Sequence, residues 1–363
     1  MKAFVQRGFQ RGFQRGLGGD DNDHVVAFET VAEPVPAAGE LVVEVKACAL
    51  NRLDLLQRVA PVVRGFSLPH IAGMDVAGVV VARADDLPDS VGPPVGARVL
   101  VDPVSTCRVC ERCLGGLAPY CENLRTVGST RPGGFAELVA VPADRTYEIP
   151  GDMSFVDAAT LPVAGMTAYH ALRAGHHVPG ETVLVNGGGS GVSCALLNLL
   201  LADGSTVITT CGGPGKVNRA LEVGYHHAID YRSADIPAAV SAATGGRGAD
   251  LVVDHVGPAL FRESIASLAI GGRMVFCGTT TGNETTLSLT DVYHWGRSLI
   301  GAGGYLAEQF PDMLAAMSAA GSAAGAATGR GPVIERVFSF DQLPLALELM
   351  ADGQFFGKLV VEF

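Results

Sequence analysis

Cys107, Cys110, Cys113 and Cys121 fall within fifteen residues, two residues apart and then seven. Four thiolates at this spacing suit Zn²⁺ as a closed tetrahedral set, which leaves no coordination position for a substrate. The residues between them (Arg108, Glu111, Arg112, Gly115, Gly116, Pro119) are polar or turn-forming, as a surface lobe wrapped on an ion requires. The set therefore reads as a structural zinc site. An iron–sulfur cluster would use the same ligands. Disulfides are the remaining alternative, and they suit a chain with export signals, whereas Met1–Arg7 lacks the apolar core of a signal peptide. The other four cysteines, Cys48, Cys194, Cys211 and Cys277, are expected to be small buried hydrophobes.

The second chemical feature is Gly187-Gly188-Gly189-Ser190-Gly191-Val192-Ser193. It follows an apolar strand, residues 182–186, and opens a helix expected over 194–202. Glycines between a strand and a helix let the backbone approach a pyrophosphate seated on the helix N-terminus. Ser193 stands where the last glycine of the dinucleotide fingerprint is usual, and is small enough to keep the helix–strand contact. Gly187, Gly189, Ser190, Gly191 and Val192 are thus candidate cofactor contacts. The next strand ends at Cys211-Gly212-Gly213, without the Asp or Glu that would hold a ribose 2′-hydroxyl. Lys216 follows, either as a partner for a 2′-phosphate or as a solvated helix residue. With Cys211 at the turn, the pattern favours NADP(H) over NAD(H).

These features need elements to position them. Over the first 150 residues, β-branched runs such as 41–47 and 76–82 are bounded by Pro, Gly and Asp, which predicts short strands. From about Ser154, helical stretches alternate with strands at 182–186, 206–210, 251–254, 273–277 and 298–302, the pattern of a parallel sheet covered on both faces. An Ala/Gly-rich stretch, 314–331, predicts a helix and a loop near Thr328-Gly329-Arg330-Gly331, before a closing strand over 357–362. Gln6-Arg7-Gly8-Phe9 repeats as Gln10-Arg11-Gly12-Phe13 and in part to Leu17; it reads as a lengthened hairpin, since three arginines give little affinity for phosphate. The formal charge of −11 argues against a nucleic-acid partner. The most apolar run, 194–202, falls short of the about 20 residues of a membrane span, so a cytoplasmic protein is expected.

The cysteine lobe, the glycine turn, Gly-Met-Asp-Val-Ala-Gly at 73–78 and Thr167-Ala168-Tyr169 together resemble the medium-chain dehydrogenase/reductases. Asn51-Arg52-Leu53-Asp54, Val253-Asp254-His255-Val256-Gly257 and Cys277-Gly278-Thr279-Thr280-Thr281-Gly282 resemble its zinc-type alcohol dehydrogenase-like and quinone oxidoreductase-like branches. The resemblance implies an α/β chain with a GroES-like β-rich catalytic domain (1–160), a Rossmann cofactor domain with a doubly wound parallel sheet (161–303) and a return to the first domain (304–363). It implies an oxidoreductase acting on a small molecule, and a homodimer, in which the strand over 298–302 would otherwise expose an apolar edge. In zinc alcohol dehydrogenases a Cys, a His and a second Cys hold the catalytic metal. Alignment of the flanking motifs puts Asn51, Met74 and Val163 at those positions, and Leu53 at the hydroxyl of the proton relay. An NADPH-dependent reductase of an activated C=C bond (enone or enoyl thioester) or of a quinone, without catalytic zinc, is therefore expected. A carbonyl or alcohol oxidoreductase and a non-catalytic NADP-binding homologue are the alternatives. Asn51 and Asp54 are candidate pocket residues or local loop caps. The resemblance assigns Arg52 to the cofactor pyrophosphate, with a surface arginine as the alternative, and Thr167, Gly278 and Gly303 to the nicotinamide. Tyr231, directly after Asp230, is a candidate partner of the 2′-phosphate; Tyr305 is a candidate proton donor or a residue lining the site; His255 is expected to pack beneath the cofactor and not to act in acid–base work.

Overall fold

The computed structural model describes residues 1–10, 25–325 and 331–363, with the side chains of 322–325 outside that description. The chain forms two units. One comprises Met1–Val163, Leu306–Pro311 and Ile334–Phe363; the other comprises Ala164–Tyr305 and Asp312–Val333.

The first unit is built on antiparallel strands. Lys2–Gln6 and Val26–Thr30 form a hairpin with Gln6 opposite Val26. The Gln-Arg-Gly-Phe repeat thus starts at the last residue of the first strand; its residues beyond Gln10, and Thr328–Arg330, lie outside the described residues. A seven-stranded sheet follows. Its centre is Glu40–Ala49, where Leu41, Val43 and Val45 alternate into the core beside Val76, Val80, Phe135, Phe338 and Val361. Two register facts matter for chemistry. Asp75 pairs with Ala49 at the end of this strand. The closing strand Lys358–Glu362 pairs with it on the other side, Val360 opposite Ala49, and Leu50 N–H donates to Leu359 O at 2.9 Å. Asn51, Asp75 and Lys358 therefore converge where three strands end.

In the second unit six parallel strands run in the spatial order His227–Asp230, Thr206–Cys211, Thr182–Val185, Ala249–Asp254, Leu268–Phe276, Ser298–Gly301. Numbered from Thr182, this is the 3-2-1-4-5-6 order of a Rossmann sheet. Val183–Val185 and Leu251–Val253 are fully buried, as strands covered on both faces must be. The helix Gly191–Ala202 starts three residues earlier than the apolar run suggests, because the Ser190 side chain accepts the Ser193 N–H and caps it. Its Leu196, Leu197 and Leu200 are wholly buried, each worth roughly 2 kcal/mol. The fifth strand begins at Leu268, five residues before the expected start; a register shift near Gly271 and Gly272 interrupts its pattern. No helix among the described residues is long and apolar enough to cross a membrane.

Candidate functional site

The cysteine lobe is local. Cys110 stands at the N-cap position of the short helix Glu111–Leu114, and the turn of Ala118–Tyr120 delivers Cys121. All four Sγ atoms lie within 4.8 Å of one another, with separations of 3.5 Å (Cys110–Cys113, Cys107–Cys121), 3.9 Å (Cys110–Cys121) and 4.0 Å (Cys107–Cys113). Zn–S bonds of about 2.3 Å give tetrahedral edges of about 3.8 Å, so the thiols fit the ion. Backbone N–H groups turn toward the sulfurs: Cys110 N–H lies 3.4 Å from Cys107 Sγ, and Cys107 N–H 3.3 Å from Cys121 Sγ. N–H donors from Val109 and Cys110 hold the Cys107 thiol down at about 6, which favours the thiolate that a metal requires. Among the described residues this is the one group of three or more His, Cys, Asp or Glu side chains close enough to share a metal ion.

The glycine turn sits at the switch point of the Rossmann sheet, between Thr182–Val185 and Ala249–Asp254. Its shape requires glycine at 188, where a Cβ would lie 2.3 Å from Thr209 Oγ1. Gly187 N–H donates to Thr210 Oγ1 at 3.1 Å and Gly188 N–H to Thr210 O at 2.9 Å. Gly189, Ser190, Gly191 and Val192 are partly exposed at the helix N-terminus, where backbone N–H groups and the helix dipole favour an anion. His255 Nε2 lies 3.0 Å from Ser190 Oγ and 2.8 Å from Ser193 Oγ, and burial lowers its pKa. His255 thus packs beneath the loop on the two serine hydroxyls. Beside it is a 510 Å³ pocket lined by Gly187, Tyr231, Ile236, Val256, Leu260 and Thr281, of a size and polarity for an adenosine.

Around Gly212 and Gly213 the structure groups polar side chains. A Cβ on Gly212 would lie 2.6 Å from Tyr231 Oη and 3.4 Å from Arg232 Nη2. Lys216 is half-buried on the helix Pro214–Val223. Asp230 is turned inward: it accepts the Gly213 N–H at 2.9 Å and the Arg232 N–H at 3.1 Å, and these donors, Gly213 first, lower its pKa. The Cys211 side chain is buried, and burial pushes its thiol up to about 11. Its sulfur is therefore withdrawn from a ligand, and its carbonyl oxygen accepts the Tyr231 N–H at 3.1 Å.

In the first unit Asn51 stands at the N-cap of the helix Arg52–Leu56. Its Nδ2 donates to Asp75 Oδ2 at 2.9 Å, and its Oδ1 accepts from Lys358 Nζ at 3.0 Å. Lys358 Nζ also donates to Asp75 Oδ2 at 2.7 Å and Leu50 O at 2.8 Å. The other Asp75 oxygen accepts the Val163 N–H at 2.8 Å. Asp54 is fully buried and accepts the backbone N–H groups of Asn51 (2.7 Å) and Gly73 (3.2 Å); burial outweighs these donors and raises its pKa to about 7. It holds the Asn51 backbone, not the amide. Met74 is buried and Arg52 is exposed.

Residues 37–151 match the family model of the alcohol dehydrogenase GroES-like domain, and residues 191–319 that of the zinc-binding dehydrogenases. A zinc-type alcohol dehydrogenase-like protein of Schizosaccharomyces pombe is 31% identical over 334 residues, 89% of this chain and 91% of that protein. The chain belongs to the medium-chain dehydrogenase/reductases. It is an oxidoreductase of that superfamily, acts on a small molecule, and its second unit is a nicotinamide-cofactor domain. The quinone oxidoreductase of Rattus norvegicus is 26% identical over 249 residues, 68% of this chain and 67% of its own. A solved structure of an NAD-dependent alcohol dehydrogenase superposes with a TM-score of 0.86 at 31% identity, covering both chains completely.

The remaining superfamily positions lie in the second unit. Thr167 is half-buried on the helix Met166–Ala174. Tyr305 meets the edge of His170, whose Nε2 donates to Ala302 O at 2.8 Å. Gly303 adopts φ +67°, and Gly278 packs so closely on His255 that a Cβ would lie 2.6 Å from its carbonyl oxygen. Three residues escaped the sequence analysis. Arg232 carries a signal, as a cation directly after Tyr231. Lys358 does too, as a lone charge opening an apolar strand. Asp75 lies inside the 73–78 motif but has no local mark of its role.

Proposed function

We propose that the chain is an NADPH-dependent reductase of an activated C=C bond or of a quinone, working without a catalytic metal. The observation that carries this reading is the set of groups at the three superfamily metal positions. They are an amide already hydrogen-bonded to Asp75 and Lys358, a buried thioether, and an alkyl residue whose backbone N–H is bound to Asp75. Such a set does not replace two thiolates and an imidazole around Zn²⁺. Without a Lewis acid, forming an alkoxide at neutral pH is hard. Reducing an electron-poor alkene or quinone is easier, because the charge is delocalised onto oxygen. When bound, NADPH supplies the hydride. Asn51 Nδ2 has a second hydrogen beyond the one given to Asp75, and this is the donor we assign to the developing enolate or quinol oxygen. Tyr305 is the proton donor in this reading. Because removal of one such donor costs roughly 10²–10³ in turnover, Asn51→Ala is expected to lower kcat on enones by that factor with NADPH affinity retained. A wild-type rate in that variant refutes the assignment.

NADPH in preference to NADH is supported by Lys216, Tyr231 and Arg232 around a turn whose nearest carboxylate, Asp230, is committed to backbone N–H groups. One zinc ion per chain, in the cysteine lobe, is supported by the sulfur spacing. The cytoplasm is a compartment that keeps such thiols reduced. A homodimer is supported by the strand Ser298–Gly301, which ends its sheet among the described residues, and by the exposed Ile270, Leu289, Tyr293 and Trp295 before it.

A further inference from the structure

Asp75 and Lys358 take no part in the chemistry above, yet both are buried and both end on Asn51. We propose that this ion pair is a positioning device: it fixes the Asn51 amide with its nitrogen as the ligand-facing group and so selects substrates that present an acceptor oxygen, a carbonyl or quinone oxygen, over those that present a hydroxyl. The proposal rests on the reading of Asn51 as the donor to substrate.

The orientation follows from the donor and acceptor inventory. An ammonium has hydrogens and no lone pair, so the atom 3.0 Å from Lys358 Nζ is the amide oxygen. An ionised carboxylate has lone pairs and no hydrogen, so the atom 2.9 Å from Asp75 Oδ2 is the amide nitrogen. Flipping the amide would set N–H against N–H and oxygen against oxygen at once. Neither charge is free to turn away. Lys358 spends its three hydrogens on Leu50 O, Asn51 Oδ1 and Asp75 Oδ2. Asp75 is held at its other oxygen by the Val163 N–H. Through one carboxylate, the three superfamily metal positions are thereby joined: Asn51 by its side chain, Val163 by its N–H, and Met74 as the chain neighbour of Asp75. The ammonium on Oδ1 also polarises the amide, which strengthens its N–H as a donor.

The test removes both charges together, because removing one would strand the other. For Asp75→Asn/Lys358→Met, kcat with 2-cyclohexen-1-one is expected to fall about 10²-fold, as for loss of a preorganised donor, and NADPH affinity to change less than about twofold. Adding Asn51→Ala should then change kcat by less than about threefold, because the three residues act as one unit. Losses that multiply overturn the proposal, since the pair would then act on something other than the amide. A second measurement serves if the paired variant does not fold or if the wild type reduces no enone. In wild-type protein labelled with ¹⁵N-asparagine, the Asn51 side-chain signal is identified by its loss in Asn51→Ala. One amide proton protected from exchange and one exchanging freely supports the fixed amide, even if the proposed reaction fails. Two equivalent, freely exchanging protons overturn it.

Discussion

Replacing Asp54 by Asn is expected to remove a pH-dependent loss of stability. Asp54 is fully buried, and its pKa rises from the ordinary 3.8 to about 7. Below pH 3.8 the carboxyl is protonated in both folded and unfolded chains and folding carries no ionisation cost. Between 3.8 and about 7 the unfolded chain releases the proton while the folded chain keeps it, so stability falls as pH rises. Above about 7 both forms are ionised and the loss is complete. A rise of about 3 pH units at about 1.4 kcal/mol each gives a total of about 4 kcal/mol, more than half of it between pH 5 and 8. Asparagine has similar volume but turns a nitrogen toward one of the two N–H donors, a fixed cost of roughly 1–3 kcal/mol. That offset does not depend on pH. Urea denaturation of both proteins from pH 5 to 8, with zinc content held equal, isolates the effect: the wild-type stability minus that of Asp54→Asn should fall by about 2.5 kcal/mol across the range. A constant difference would show that Asp54 ionises normally, and the burial argument would be wrong.

Metal analysis should find one zinc ion per chain; Cys110→Ser should lower the unfolding temperature more than it alters turnover, whereas two ions per chain would contradict the donor-set argument. Lys216→Ala and Arg232→Ala should each weaken NADPH about tenfold or more, as loss of a charge-assisted hydrogen bond does, and leave NADH nearly unchanged; equal losses for both cofactors rule out a 2′-phosphate role. Gly188→Ala should weaken NADPH and NADH alike, because its Cβ would press on the buried Thr209, whose hydroxyl is bound to Val185 O; retained affinity for either cofactor refutes that reading of the turn. Light scattering should give the mass of two chains at micromolar concentration, and a monomer there removes the dimer.

The features legible in the sequence are those whose parts lie close along the chain. The four cysteines span one lobe, and the glycine turn joins a strand directly to its helix. Lys216 was readable for the same reason, as it shares a turn with Gly212. Arg232 is marked only as a cation after Tyr231; its place at that turn was not readable, since it arrives there through the pairing of the strands Thr206–Cys211 and His227–Asp230, with Cys211 beside Asp230. Asn51 was singled out from its motif, but its two partners lie 24 and 307 residues away, brought in by the register of three strands. No local pattern announces that Lys358 will end opposite Asn51. Cys211 illustrates the converse: its position in the turn was readable, while the burial of its sulfur follows from the packing of the strand that carries it.

The central claim is tested most directly by following NADPH absorbance with a panel of enones, enoyl thioesters and quinones, on protein whose zinc content has been measured. The account predicts NADPH consumption with at least one of these classes by protein holding one zinc ion per chain, with no further activation by added zinc. Rapid oxidation of simple alcohols that depends on a second zinc ion would contradict it.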